Sequence, residues 1–119
     1  MATPHEITIR TCDQHIEVAL GGETLAKTDR PLLVDETGLP TRYYLPREDV
    51  RMDLLTRTEH DTTCPYKGEA SYWSVEVDGE LHNDIVWSYE NPIPTAAEIA
   101  GLLSFYPDRV DITVSPPSR

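Results

Sequence analysis

The stretch from Cys64 to Val77, CPYKGEASYWSVEV, constrains the fold more than any other part of the sequence. Pro65 fixes its own φ and keeps the preceding residue out of the helical region, and Gly68 permits a positive φ, so the stretch opens with a stiff turn. From Ser71 onward, aromatic and β-branched residues alternate with others at a period of two, which is typical of a strand. The stretch therefore predicts a turn that leads directly into a β-strand.

The dipeptide Asp78-Gly79 predicts a hairpin that joins this strand to a second alternating run, from His82 to Tyr89. A three-residue loop pairs Val77 with Leu81, Trp73 with Ile85 and Ser71 with Trp87, whereas a two-residue loop pairs Val77 with Glu80 and Val75 with His82. A slip of one residue exchanges the two faces of a strand. We predict the three-residue loop, because it places both tryptophans on one apolar face that packs into the core.

Turn residues recur along the whole chain at the short spacing that is typical of all-β proteins. The predicted strands are residues 7–10, 16–20, 24–27, 32–34, 42–45, 50–55, 71–77, 82–89, 102–106 and 110–114. One helical turn is expected at residues 47–49, a polar loop at 56–63, and one short helix at 96–100, capped by Thr95 and ended by Gly101. The fold class is mainly β: a strongly bent antiparallel sheet forming a small sandwich or barrel, with one short C-terminal helix.

Length and charge restrict the class of protein. The 119 residues suit a single domain, 1–119, with an ordered core of about 6–114, a loose N-terminus and a disordered SPPSR tail. Ten Lys and Arg against 21 Asp and Glu give a net charge of −11, which argues against binding to nucleic acid or to an anionic membrane. No apolar run approaches the ~20 residues of a membrane span, and no secretory signal is visible. We expect a cytoplasmic protein.

The two cysteines, Cys12 and Cys64, are too few for a disulfide framework, and a reducing compartment keeps them as free thiols. The sequence has no CxxC motif. His60, Asp61 and Cys64 are the nearest approach to a metal-binding cluster, but three such residues do not complete a tetrahedral site. We therefore expect no metal and no cofactor.

Five segments resemble a bacterial and fungal family, the domain of unknown function 427: ETGLP at 36–40, YYLPREDVRMDLL at 43–55, CPYKGEASYWSVEV at 64–77, WSYENPIP at 87–94 and FYPDRVD at 105–111. They occur in the same order and span roughly residues 6–112. The resemblance implies a small, mostly β protein. A nucleotidyltransferase-type label is attached to that family, but this sequence has no Gly-Ser pair followed by spaced aspartates and no P-loop.

The CPYKG turn is the first candidate site. A thiol beside a cation can have a lowered pKa and act as a nucleophile, so Cys64 next to Lys67 is a candidate, with His60 as its base. The alternative is that Cys64 is a small packing residue. Lys67 offers either a positive point for an anionic ligand or a solvated surface charge.

Alternating charges form the second candidate. Arg42, Arg47 and Arg51 suit a guanidinium fork for a phosphate or carboxylate ligand. The alternative is internal ion pairing, because Asp49 and Asp53 compete with any anion.

The third candidate is a small pocket with aromatic walls and few polar groups, the usual composition of ligand sites. The predicted ligand-binding residues are Tyr43, Arg51, Cys64, Tyr66, Lys67, Tyr72 and Ser74. The predicted function is binding of an unknown small molecule near the CPYKG turn, with an anion as one option. Two alternatives stay open: an enzyme that uses Cys64 or the Arg/Asp/Lys cluster, and a protein-interaction or homodimerisation module.

Overall fold

A computed structural model describes residues 6–116, which form ten β-strands in two antiparallel sheets. The strands are β1 (Ile7–Thr11), β2 (His15–Leu20), β3 (Glu23–Thr28), β4 (Leu32–Glu36), β5 (Arg42–Leu45), β6 (Leu55–Cys64), β7 (Gly68–Val77), β8 (Glu80–Ser88), β9 (Leu103–Phe105) and β10 (Asp111–Ser115).

The large sheet has seven strands in the order β1-β4-β5-β9-β8-β7-β6, and the small sheet has three in the order β10-β2-β3. Strands β1 and β6 are the edges of the large sheet, so the two sheets form an open sandwich. The predicted fold class, a mainly β antiparallel protein forming a small sandwich with little helix, is confirmed.

The small sheet covers one face of the large sheet. Ile16, Val18 and Leu25 from the small sheet are fully buried, and they share a core with Trp73 and Val86 of the large sheet. The predicted hairpin around Gly21-Gly22 is therefore confirmed as β2 and β3, and it supplies one layer of the sandwich.

The segment of residues 90–102 covers the other face of the large sheet. Ala96 and Ile99 of this segment form a second buried cluster with Tyr44, Tyr72 and Trp87. The amide of Gly101 also donates a hydrogen bond to the carbonyl of Tyr89, with an N···O distance of 3.1 Å, which ties the segment to the end of β8. Both faces of the large sheet are consequently buried over much of their area.

The predicted pairing of β7 with β8 is wrong. The observed loop has two residues: Val77 pairs with Glu80 and Val75 with His82, while Trp73 pairs with Val86 and Tyr72 with Trp87. The side chains of Trp73 and Trp87 therefore lie on opposite faces of the sheet, one in each buried cluster, and not on a common face.

Two local conformations explain the difference. Asp78 and Gly79 both have positive φ, 52° and 76°, which is the geometry of a two-residue type I′ turn. A β-bulge then places three residues of β8 opposite Ser74, and its middle residue, Asp84, also has a positive φ of 52°. Both faces of β7 and β8 carry buried apolar side chains, so the distribution of apolar residues in the sequence did not identify the correct pairing of the two strands.

The interpretation of residues 50–63 was also wrong in part. The turn at Arg47–Asp49 is confirmed as a 3-10 turn, but a second 3-10 turn, Met52–Leu54, replaces the predicted strand at 50–55. The predicted polar loop at 56–63 is the ten-residue edge strand β6. This strand is mostly exposed and rich in threonine, so it has the β propensity of threonine without the alternation of a half-buried strand.

The predicted C-terminal helix is a 3-10 turn at Pro94–Ile99, interrupted by non-helical dihedral angles at Ala96. Its N-cap is Ile93, and no side chain caps it, so the predicted capping role of Thr95 is wrong.

None of the helical turns in residues 6–116 is long and apolar enough to cross a membrane. The predicted loose N-terminus lies outside the described residues, as do the last three residues of the SPPSR tail, whereas Ser115 ends β10.

The contact between the two sheets can be tested at β2 and β10. Ile16→Ala removes a fully buried side chain, so we expect it to lower the free energy of unfolding by about 2–5 kcal/mol. Val114→Ala, in the adjacent strand and 39% exposed, should change it by less than about 0.5 kcal/mol. Urea denaturation measures both, and equal losses would contradict the packing of the small sheet on the large one.

Candidate functional site

The CPYKG turn is a tight connection between β6 and β7. Cys64 and Gly68 are direct partners in the ladder, and the amide of Lys67 donates to the carbonyl of Cys64 with an N···O distance of 3.2 Å. Gly68 has a φ of +119°, and a Cβ there would lie 3.2 Å from Cα of Pro92. Glycine is therefore required both by the backbone conformation and by the approach of the segment after β8.

Lys67 is not a surface cation. Its side chain is 9% exposed, and Nζ donates a hydrogen bond to the carboxylate of Glu36, whose side chain is 10% exposed. Nζ also lies 5.8 Å from the ring centroid of Tyr89. The charge of Lys67 is thus balanced by a carboxylate at the end of β4, which no feature of the sequence indicated.

Aromatic residues surround this ion pair on the same face of the large sheet. The indole of Trp87 donates from Nε1 to the hydroxyl of Tyr44 at 3.0 Å, and the two rings meet edge to face. Trp87 also packs against Tyr106, with ring centroids 4.5 Å apart. We call Tyr44, Tyr72, Trp87, Tyr89 and Tyr106 the aromatic cluster.

The phenols of Tyr44, Tyr89 and Tyr106 stay neutral over the physiological pH range. Burial raises the pKa of both Tyr44 and Tyr89. Burial and a hydrogen bond with Tyr72 raise the pKa of Tyr106 to about 12. These phenols can therefore donate and accept hydrogen bonds, but they do not act as anionic bases near neutral pH.

The remaining residues predicted at the turn have local partners. The hydroxyl of Tyr72 lies 2.9 Å from that of Thr62, and the ring of His60 packs on Tyr72 at a centroid distance of 4.5 Å. Cys64 is a half-buried free thiol packed against the aromatic cluster. His60 thus contacts Tyr72, and its ring is held by an aromatic neighbour.

Tyr43, Ser74 and Arg51 lie away from the turn. Tyr43 packs against the core between the two sheets, on the face opposite to Tyr72. The hydroxyl of Ser74 accepts a hydrogen bond from the amide of Asp84 at 3.1 Å, within the β-bulge. Tyr66, Tyr43 and Ser74 are therefore not brought together around one hollow.

The alternating charges around Arg51 form ion pairs within the chain. Arg51 makes two hydrogen bonds to Asp53, at 2.9 and 2.8 Å, and this contact lowers the pKa of the Asp53 carboxyl. Arg47 lies 3.3 Å from Glu90. A cavity of about 460 Å³ lies beside Arg51 and Lys27, but each of these cations is within 4.0 Å of a carboxylate. Arg47, Arg51 and Asp53 therefore have structural partners, whereas Arg42 lies over the ring of Trp87, 5.8 Å from its centroid.

A separate cavity of about 240 Å³ lies at the CPYKG turn. Its walls are Ile7, Pro65, Tyr66, Ile93 and Thr95. Two of these wall residues contact the residues of the Lys67–Glu36 ion pair. Ile7 is the ladder partner of Glu36, and the amide of Ile93 donates a hydrogen bond to the carbonyl of Lys67 with an N···O distance of 2.9 Å. Within residues 6–116, no group of His, Cys, Asp and Glu is arranged to hold a metal ion.

The contribution of the buried ion pair between Lys67 and Glu36 to stability can be tested by substitution. Lys67→Met leaves the Glu36 carboxylate buried without its ammonium partner, so we expect a loss of about 3–5 kcal/mol in the free energy of unfolding. In the double variant Lys67→Met/Glu36→Met no charge is stranded, and most of that loss should be recovered. Urea denaturation at neutral pH measures both. A double variant as unstable as Lys67→Met would show that the two side chains are not coupled.

Two effects make glycine necessary at position 68, the positive φ and the close contact with Pro92, and their costs in stability can be measured separately. Gly38 also has a positive φ, +80°, but a Cβ there would meet nothing within 4 Å among residues 6–116. Gly38→Ala should therefore cost about 1–2 kcal/mol through backbone conformation alone. Gly68→Ala should cost clearly more, because its Cβ also meets the backbone of Pro92. Thermal and urea unfolding compare the two, and equal losses would argue against tight packing of the turn.

A comparison with protein-family profiles matches this chain to a family. The family profile described as a domain of unknown function, DUF427, matches residues 8–116, which include both sheets, the CPYKG turn and the aromatic cluster. A search of curated proteins gives no match. Since the profile covers most of the sequence, the chain belongs to the DUF427 family.

Proposed function

We propose that this chain is a small-molecule-binding domain whose ligand occupies the cavity at the CPYKG turn. The observation that carries the proposal is the cavity of about 240 Å³ walled by Ile7, Pro65, Tyr66, Ile93 and Thr95, next to a buried ion pair. Ligand sites are concave and combine apolar walls with a few polar groups, and this cavity offers both kinds of wall.

The walls of the cavity are held rigidly, which favours binding because little order is lost when a ligand enters. Pro65 and Gly68 fix the turn, and the backbone of Pro92 packs against Gly68. The hydrogen bond from Ile93 to Lys67 ties the opposite wall to the turn. The bond of Lys67 to Glu36 anchors both to the large sheet.

The chemistry of the walls favours an uncharged ligand. Ile7, Pro65 and Ile93 offer apolar surface, Tyr66 adds a ring that is 45% exposed, and Thr95 adds a hydroxyl. Lys67, in the turn beside the cavity, is already balanced by Glu36, and the chain has a net charge of −11. Among residues 6–116, the walls of the cavity include no cation, so an anion would approach against the net negative charge of the chain. A cytosolic location is part of the proposal, because both cysteines are free thiols.

The proposal is tested by blocking the cavity. A set of neutral aromatic fragments, with benzamide as the reference, and their anionic counterparts, with benzoate as the reference, is titrated into the ¹⁵N-labelled chain. We expect neutral fragments to shift the amide resonances of Tyr66, Ile93 and Thr95. Thr95→Trp, at an exposed wall position, should weaken that binding by at least about tenfold.

The matched control adds the same side chain elsewhere. Leu81→Trp, at a position 54% exposed in the β7–β8 hairpin, should bind the fragments as the wild type does. Fragments that shift other regions only, or that bind Thr95→Trp unchanged, would refute a ligand site at the turn. Stronger binding of benzoate than of benzamide would refute the preference for an uncharged ligand.

A further inference from the structure

A further cavity lies on the face of the large sheet opposite to the aromatic cluster. It has a volume of about 420 Å³, and its walls are Arg57 of β6, Glu69 and Ser71 of β7, and Glu90 and Asn91 just after β8. Ser71 and Glu69 alternate with Tyr72 along β7, so they point away from the aromatic cluster. This cavity is therefore independent of the one at the CPYKG turn.

Arg57 is held in a fixed orientation and has no acidic partner in the part of the chain that the structure describes. Its guanidinium carbon lies 5.4 Å from the ring centroid of Trp73, and its terminal nitrogens donate to the hydroxyl of Ser71 at 2.5 Å and to the carbonyl of Thr58 at 3.2 Å. Among residues 6–116, no carboxylate lies within 4.0 Å of it, whereas Arg30, Arg47 and Arg51 each have one. Its remaining N–H donors suit a carboxylate.

The same cavity also holds the negative charge of Glu69. In the described part of the chain, Glu69 has no Lys, Arg or His nitrogen within 4.0 Å, while Glu90 is already paired with Arg47. An inorganic anion bound at Arg57 would be repelled by the two glutamates, and a simple cation bound at Glu69 would be repelled by the arginine. A molecule with both charges is matched to both groups.

A buried polar group also lies next to Ser71, one of the walls of this cavity. Ser88 lies directly across the ladder from Ser71, and its hydroxyl oxygen is buried without a hydrogen-bond partner in residues 6–116. An unsatisfied buried hydroxyl costs about 1–3 kcal/mol, and such groups are uncommon in native structures. The polar wall of the cavity at Ser71 thus adjoins a second polar side chain, Ser88, in a part of the sheet that is otherwise packed with apolar side chains.

We propose that this cavity binds a small zwitterion, a free amino acid, with its carboxylate on Arg57 and its ammonium group on Glu69. Ser71 and Asn91 supply further hydrogen bonds at the wall. Trp73 holds the guanidinium from below, so that the guanidinium keeps the planar orientation that two-point contact with a carboxylate requires. The volume of about 420 Å³ accommodates a molecule of this size.

The test uses probes that carry either one or both charges. The standard L-amino acids, acetate and methylammonium are each titrated into the ¹⁵N-labelled chain. We expect at least one amino acid to shift the amide resonances of Glu69, Ser71 and Asn91 to saturation. It should bind at least about tenfold more tightly than acetate or methylammonium.

Variants assign the two charges. Arg57→Met and Glu69→Gln should each weaken amino-acid binding by at least about tenfold, and Arg109→Met, at an exposed arginine, should leave it unchanged. Glu69 is exposed, so its variant retains the fold. Arg57→Lys keeps the charge, loses the planar fork and should give intermediate binding, which covers the case in which Arg57→Met does not fold.

Three results would overturn the proposal. They are the absence of a saturable shift with any amino acid, acetate binding as tight as that of the best amino acid, and unchanged binding in Glu69→Gln. Each result is separate from fragment binding at the CPYKG turn, because the two cavities share no wall residue.

Discussion

The buried ion pair between Lys67 and Glu36 is the interaction that positions the rest of the candidate site. Removing two charges from water costs several kcal/mol per ion, so the pair is a poor source of stability compared with two apolar side chains. What it supplies is position. It joins the end of β4 to the turn between β6 and β7, next to the ring of Tyr89. The segment that covers the aromatic cluster is fixed to the same turn through Ile93.

Much of the large sheet is buried on both faces, and this limits what the sequence could reveal about its strand pairing. Turn residues and β-branched runs were sufficient to predict the small-sheet hairpin, the strand at Arg42–Leu45 and the class of fold, because these depend on local conformation. The register of β7 and β8 depends on which face is apolar, and both faces are. Trp73 packs between the sheets and Trp87 under the covering segment, so neither tryptophan reports a unique core side.

Only those features of the candidate site that depend on residues close together in the sequence were predicted correctly. The stiff CPYKG turn and Tyr66 at its tip follow from proline, glycine and neighbouring residues. The partner of Lys67 does not, since Glu36 is 31 positions away and lies in a strand that pairs with β1 and β5. Arg57 was missed for another reason. It lies in a polar, threonine-rich segment in which apolar residues do not alternate with polar ones. Such alternation is absent because β6 is an exposed edge strand, and the core side chains come from the neighbouring strand β7.

Cations are scarce in this acidic chain, and their partners divide them by role. Lys67 and Arg51 are balanced by carboxylates and therefore fix structure. Arg42 and Arg57 have no carboxylate within 4.0 Å among residues 6–116, and each lies over a tryptophan, at 5.8 Å from Trp87 and 5.4 Å from Trp73. An aromatic face stabilises a guanidinium without cancelling its charge, so the cation stays available to an incoming anionic group. Of these two arginines, Arg57 also lines a cavity with Glu69, an acid that has no cationic partner among residues 6–116, and that combination favours a ligand carrying both charges.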